Sequence, residues 1–122
     1  MARHNEFGKW GEDLAVETLV SKGYAIVERN WRLGHLEIDV VALKDDKVVF
    51  VEVKTRADKD IDPFDAIDRK KILNLVRAAN AYTAHSNMPH DPQFDIIAVC
   101  GNPDDYEIEH LEDAFMPPLK TY

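Results

Sequence analysis

The chain has 122 residues and a mass of 14.0 kDa, with 45% hydrophobic and 31% charged residues, a balance that fits one globular domain over 1–122 and excludes wholesale disorder and two independent cores. No apolar run approaches the roughly 20 residues that span a bilayer, and the opening MARHNEFGKWGED has no secretory apolar segment, so a soluble, cytoplasmic protein is expected. Net charge is −8 but uneven, residues 1–77 carrying 14 of the 15 Lys and Arg against 15 of the 23 acids, so the acidity is mostly C-terminal and composition neither supports nor excludes a phosphate-bearing partner.

In chain order, residues 5 to about 22 read as a helix with Asn5 as N-cap, Gly23 as stop and an apolar stripe of Phe7, Gly11, Leu14, Ala15, Thr18 and Leu19. Residues 24–32 favour a strand. LEIDVVAL (36–43) and KVVFVEVKT (47–55) are stronger strands joined by a polar turn at Asp45 and Asp46, hence a hairpin. A charged loop (57–63) leads to Pro63, which is placed to open a second helix to about Ala84 with core positions Ile72, Leu75, Val76, Ala79 and Tyr82. After the loop SNMPHDP come a strand at 93–99 and a last one at 106–111. The order αβββαβ plus a terminal strand predicts an α/β fold with a mixed central sheet flanked by helices. The single cysteine, Cys100, lies in the apolar run IIAVC and reads as a small buried residue without chemistry.

The chemistry concentrates in the hairpin. A symmetric hairpin about Asp45 and Asp46 sets Asp39 opposite Glu52 and Glu37 opposite Lys54. Both strands are apolar on both faces near the turn, which marks them as central, so these charges do not belong to a simple solvated face. Two carboxylates about 5 Å apart repel by roughly 3 kcal/mol at an effective dielectric near 20. Either one of them takes up a proton or a cation lies between them, and a hard divalent ion such as Mg²⁺ or Mn²⁺ suits the oxygens. Glu12 falls on the sheet-facing side of the first helix, on a ridge with Gly8, Ala15 and Leu19 and beside Gly11, where side-chain-free positions allow close approach, and is a candidate third metal ligand or acceptor for metal-bound water.

Bland alternatives stand beside these assignments. An E-x-K on a strand is common, and structural ion pairs imitate acid clusters. Glu37 defaults to pairing with Lys54. Arg56 and Lys59 are solvated loop charges or, functionally, phosphate contacts. In the second helix Lys71 and Arg69 flank the apolar stripe and are the candidate nucleic-acid contacts, whereas Lys70 and Arg77 point away. Trp10, Trp31 and Tyr82 read as core or rim aromatics, and the five histidines lack zinc-ligand spacing.

The ordered set GKWGEDLA, LEIDVVA, VVFVEVKTR and QFDIIAV, from Gly8 to about Phe115, resembles the YraN-like family of small uncharacterised bacterial proteins. Through it the chain is similar to the PD-(D/E)xK nuclease superfamily near the archaeal Holliday-junction resolvases. The resemblance implies a restriction-endonuclease-like αβββαβ core, with Asp39 and Glu52 as metal-binding acids, Lys54 as active-site lysine and Glu12 as the helix glutamate of resolvase-like branches. Leu36 and Asp65 stand where the family usually has glycine, which bears on local loop shape.

The expectation is therefore a Mg²⁺- or Mn²⁺-dependent phosphodiesterase, an endonuclease acting on DNA ahead of RNA and on branched or structured DNA within that class. Asp39, Glu52 and Glu12 would bind the metal with the Val53 carbonyl, and Lys54 would act beside them. The alternatives are a non-catalytic nucleic-acid-binding module on the nuclease scaffold and a small interaction protein whose carboxylates hold a structural ion. Two-fold self-association follows from the resolvase likeness, and the acidic C-terminal segment suggests a basic protein partner.

Overall fold

A computed structural model describes residues 2–60, 62, 68–88 and 90–115, with side chains from Glu6 onward. The elements follow as α1 (Ala2–Ser21), β1 (Ala25–Leu33), β2 (Leu36–Lys44), β3 (Lys47–Arg56), α2 (Arg69–Ser86), β4 (Asp91–Asn102) and β5 (Asp105–Leu111). The five strands form one sheet in the order β1-β2-β3-β4-β5. Only β3 and β4 run parallel, their connection passing through α2, as a parallel pair requires a long crossover. The fold is the α/β arrangement expected, a mixed sheet between two helices with the αβββαβ order and an added edge strand.

The central position of β3 and β4 follows from composition. Val48–Val51 and Phe94–Gly101 are continuous buried runs covered on both faces. On one face Ala15 and Leu19 of α1 pack on Val40, Ala42, Val49, Val51, Ile97 and Val99. On the other, Leu75, Ala79 and Tyr82 of α2 pack on Ile38, Val41, Phe50 and Phe94, with Trp31 set edge-on to Tyr82 at 5.3 Å. Trp10 is likewise a rim aromatic, 5.6 Å from the rings of both Phe7 and Tyr106.

Several boundaries differ from the sequence expectation. α1 already runs from Ala2, so Asn5 lies inside it and does not cap it; Ala2, Arg3 and Glu6 are good helix formers that extend the helix toward the N-terminus. α2 starts at Arg69, after Asp68, whose extended backbone breaks any helix reaching it from Pro63 and whose side chain accepts from the Lys71 amide at 3.0 Å. Pro63 and Asp65 lie outside the described residues. Asn87 ends α2 in the left-handed region, its N–H bonded to the Thr83 carbonyl. The acidic edge strand is partly neutralised, since Lys59 lies 2.8 Å from Asp105 and 3.8 Å from Glu107. Neither described helix is long and apolar enough to cross a membrane.

The close approach of α1 to the sheet rests on one of its two glycines. A Cβ at Gly11 would overlap the side chain of Thr55 on β3, whereas Gly8 has open space around it. Gly11→Ala is therefore expected to destabilise the protein by about 1–3 kcal/mol through overpacking, despite a helix-propensity gain of about 1 kcal/mol. Gly8→Ala should be stabilising by up to about 1 kcal/mol. Urea denaturation of the two variants checks the pair, and equal effects would refute the packing argument.

A candidate metal and phosphate site where β2 and β3 part

The hairpin register is the expected one: Leu43 pairs with Val48, Val41 with Phe50 and Val40 with Val51. The ladder then stops, one pair short of Asp39 and Glu52. Ile38 and Val41, three residues apart, both pack under α2 while Val40 packs under α1, so strand alternation slips around Asp39. There the Asp39 Oδ2 accepts the Val53 N–H at 2.8 Å, a side chain standing in for a ladder carbonyl. The same parting explains a correction at Glu37. β2 continues its pairing with β1 down to Leu36, so Glu37 lies opposite Arg32 and 3.3 Å from its guanidinium, not against Lys54.

Glu52 and Lys54, on one face of β3, pair with each other at 3.4 Å. Burial pushes the Asp39 carboxyl up, the Glu52 charge adds to it, and although the Val53 amide pulls the other way its pKa stands at about 7, with Glu12 and Glu37 contributing further repulsion. The electrostatic conflict expected of opposed carboxylates is thus present in the protein.

Glu12 projects from α1 toward this region with only 12% of its side chain exposed. Its Oε1 collects three donors: the Arg29 Nε at 2.9 Å, the Arg29 Nη2 at 2.8 Å and the Asn30 Nδ2 at 3.0 Å. Arg29 also binds Asp13 at 2.6 Å and, with Lys9, holds that carboxyl below its ordinary value against the opposing effect of burial. Asn30 takes a left-handed backbone at φ 54°, a conformation that asparagine tolerates better than most residues. The reading of the sequence missed both residues. The signal available was the polar run Glu28-Arg29-Asn30 inside a strand beside the acid cluster.

Among the proposed phosphate contacts, Lys71 joins the site. The Lys54 amine, with burial, lowers the pKa of Lys71 against the pull of Glu52 and Asp68. Lys71, Asn74 and Leu75 of α2 line an open groove with His35, Leu36, Glu37 and Glu52. A second groove is lined by Lys9, Glu12, Arg29 and Asn30. Arg69 is exposed on the first turn of α2, and Arg56 ends β3 opposite Cys100. Among the described residues, no three acidic, histidine or cysteine side chains come close enough together to form a ready-made metal cage. Asp39 and Glu52 are close enough to repel, Lys54 pairs with Glu52, Lys71 lines a groove with it, and Glu12 acts on Asp39 by charge while bonded to Arg29 and Asn30.

A model of the uncharacterised protein family UPF0102 matches residues 11–99, a span that contains all of Glu12, Asp39, Glu52, Lys54 and Lys71. A UPF0102 protein of Bacteroides thetaiotaomicron is 48% identical over 120 residues, covering 98% of this chain and 99% of its own length. One from Bacteroides fragilis is 47% identical over 120 residues, with 98% and 99% covered. Another, from Flavobacterium psychrophilum, is 47% identical over 116 residues, with 94% and 98% covered.

Proposed function

The chain belongs to the uncharacterised family UPF0102, and we propose that it is a divalent-metal-dependent phosphodiesterase of the PD-(D/E)xK kind, an endonuclease acting on DNA. The observation that carries the reading is the half-buried Asp39 carboxyl, held close enough to Glu52 for burial and the Glu52 charge to raise it to about 7, with the Lys54 amine 3.4 Å from Glu52. Nothing in the packing of the sheet calls for two carboxylates and an ammonium in this position, and a cation offsets their repulsion.

The donor set fits Mg²⁺ or Mn²⁺: hard carboxylate oxygens from Asp39 and Glu52, with the Val53 carbonyl as a further oxygen. Glu12, whose Oε1 is taken by Arg29 and Asn30, would have its other oxygen to offer the ion or a water on it. A divalent ion bound here supplies Lewis-acid polarisation of the phosphate and a more acidic water. The residues do the rest. Asp39 and Glu52 would hold the ion at the point where β3 leaves β2. Lys54, tethered by Glu52, donates to the phosphate oxygen on which negative charge grows, an effect worth about 10² to 10³ in rate. Arg29 and Asn30 hold Glu12 in one orientation. A four-way junction is two-fold symmetric, so on that substrate the active form is a pair of chains, each cutting one strand.

The test is a cleavage panel of duplex, single-stranded, nicked and four-way-junction DNA with each metal. Wild type is expected to cut at least one of them, and Asp39→Asn, Glu52→Gln and Lys54→Ala to abolish cutting. The ion pair of Glu12 with Arg29 favours a second reading, a nucleic-acid-binding module that has kept the scaffold without the reaction. Binding that needs no metal and survives Asp39→Asn, with no substrate cut, selects that reading over the first.

A further inference from the structure

Resting on the phosphodiester reading, we propose that Lys71 is a second phosphate-holding cation of this site: with Lys54 it forms a two-ammonium receptor for one backbone phosphate on the α2 side of the carboxylates. The two amines come from different elements, β3 and the first turn of α2, and converge on Glu52: Lys54 lies 3.4 Å from its carboxylate, and Lys71 lines two grooves with it. Among the described residues the ion pair that reaches these amines is that of Lys54 with Glu52, at 3.4 Å. Lysine stems are flexible and water solvates their ends well, so close placement of two of them is favourable when an anion accepts from both.

The acid pair and the amine pair are therefore complementary halves. A cation held by Asp39 and Glu52 would release Lys54 from its ion pair with Glu52, leaving Lys54 and Lys71 to face an anion together. A metal-bound phosphate satisfies both at once. The N-terminus of α2 is not the receptor, because Asp68 already occupies the Lys71 amide at 3.0 Å; the side chains are. Beyond Lys71 the open groove continues past Asn74, one turn along the helix, and His35. These two side chains carry donors suited to the sugar-phosphate that follows, and this sets the side of the site from which the strand leaves.

Side-chain ammonium signals of Lys54 and Lys71, followed by NMR in the metal-free protein, test the receptor without relying on cleavage. One titration uses inorganic phosphate and another a short DNA duplex, each with wild type, Lys71→Ala, Lys71→Arg and, as a control on the exposed neighbour, Lys70→Ala. Phosphate is expected to shift both lysines together, and Lys71→Ala to weaken phosphate binding at least about fivefold. On duplex the slope of log affinity against log salt should fall by about one in Lys71→Ala, with Lys71→Arg retaining most of it and Lys70→Ala unchanged. Mn²⁺ affinity should stay within about twofold in all three variants, because none removes an oxygen ligand. Equal phosphate binding by wild type and Lys71→Ala overturns the receptor even if the protein cuts DNA. Phosphate binding that shifts both lysines and is weakened by Lys71→Ala, in a protein that cuts nothing, sustains the receptor and removes the nuclease reading.

Discussion

Asp39→Asn is expected to abolish metal-dependent cleavage and, at the same time, to make the metal-free protein more stable at neutral pH. The second effect follows from the direction of the Asp39 shift. In the folded protein this carboxyl holds its proton up to a pKa of about 7, against an ordinary value of 3.8. Between these two values the folded chain retains a proton that the unfolded chain has released, so stability falls as pH rises through the window, and the whole cost is present above it. The linkage ceiling is about 4 kcal/mol, and water reaching a half-buried group reduces it to about 2 kcal/mol. Asparagine keeps an oxygen for the Val53 amide, now 2.8 Å from Oδ2, and removes the charge. For a chain of this size the gain is a rise in Tm of about 5–10 °C at pH 8, shrinking toward zero near pH 4. Thermal melts of both proteins at pH 4, 6 and 8 in chelator measure it, and a variant less stable than wild type at pH 8 would contradict the strained-carboxylate argument. Added Mn²⁺ should reverse the ranking, since a ligand that binds only the folded wild type stabilises it by mass action.

This combination separates a metal site from an ion pair kept for stability. In a structural pair, removing one partner leaves the other charge buried and costs several kcal/mol. Here the partners of Asp39 are other acids, Glu52 foremost, then Glu12 and Glu37, so removing it relieves repulsion. A protein that keeps such a cluster gives up folding stability for binding, a common feature of functional sites.

How much of this site was legible beforehand depended on where the backbone stays regular. The run of residues apolar on both faces, the two-aspartate turn and strict alternation were enough to pair Val41 with Phe50 and to bring Asp39 toward Glu52. The point at which the ladder ends was not legible, because it depends on β1 continuing along β2 after β3 has turned away; that is why Glu37 meets Arg32. The hold of Arg29 on Glu12 was hidden for a related reason. β1 carries a register shift between Ile26 and Glu28, and period-two counting cannot say where a side chain beyond a bulge points. The start of α2 was misread because Pro63 is a strong helix opener in isolation, while the capping bond at Asp68 is decided by the local backbone.

A second large effect is expected far down the chain, at Asp95. This aspartate sits on the α1 face of β4 in the run QFDIIAV and is fully buried. A lone acid within an apolar strand must be bonded or pay heavily for its charge, a signal the sequence carried. Its two oxygens accept four donors: Tyr24 Oη at 2.9 Å and His110 Nε2 at 2.7 Å on one, Gln93 Nε2 at 2.9 Å and the Asp113 amide at 3.0 Å on the other. Lys22 Nζ lies 2.9 Å from His110 Nδ1; an ammonium only donates, so Nδ1 accepts and the ring proton sits on Nε2, facing Asp95. One carboxylate thus ties the link between α1 and β1, β4, β5 and the turn after β5 together. Burial pushes the Asp95 carboxyl up, but the bonds from His110, the Asp113 amide, Gln93 and Tyr24 outweigh it and hold it below 3.8. A lowered folded value means that its contribution is present above about pH 4 and is lost as pH falls through the folded pKa. Asp95→Ala strands four buried donors and is expected to cost about 3–5 kcal/mol. Asp95→Asn, which turns an amide toward at least one of those donors, should cost about 2 kcal/mol. Urea unfolding at pH 7 gives both values. Repeating it at pH 3 should narrow the gap between wild type and Asp95→Asn, and a gap unchanged by acid would mean that the charge of Asp95 does not hold these elements together.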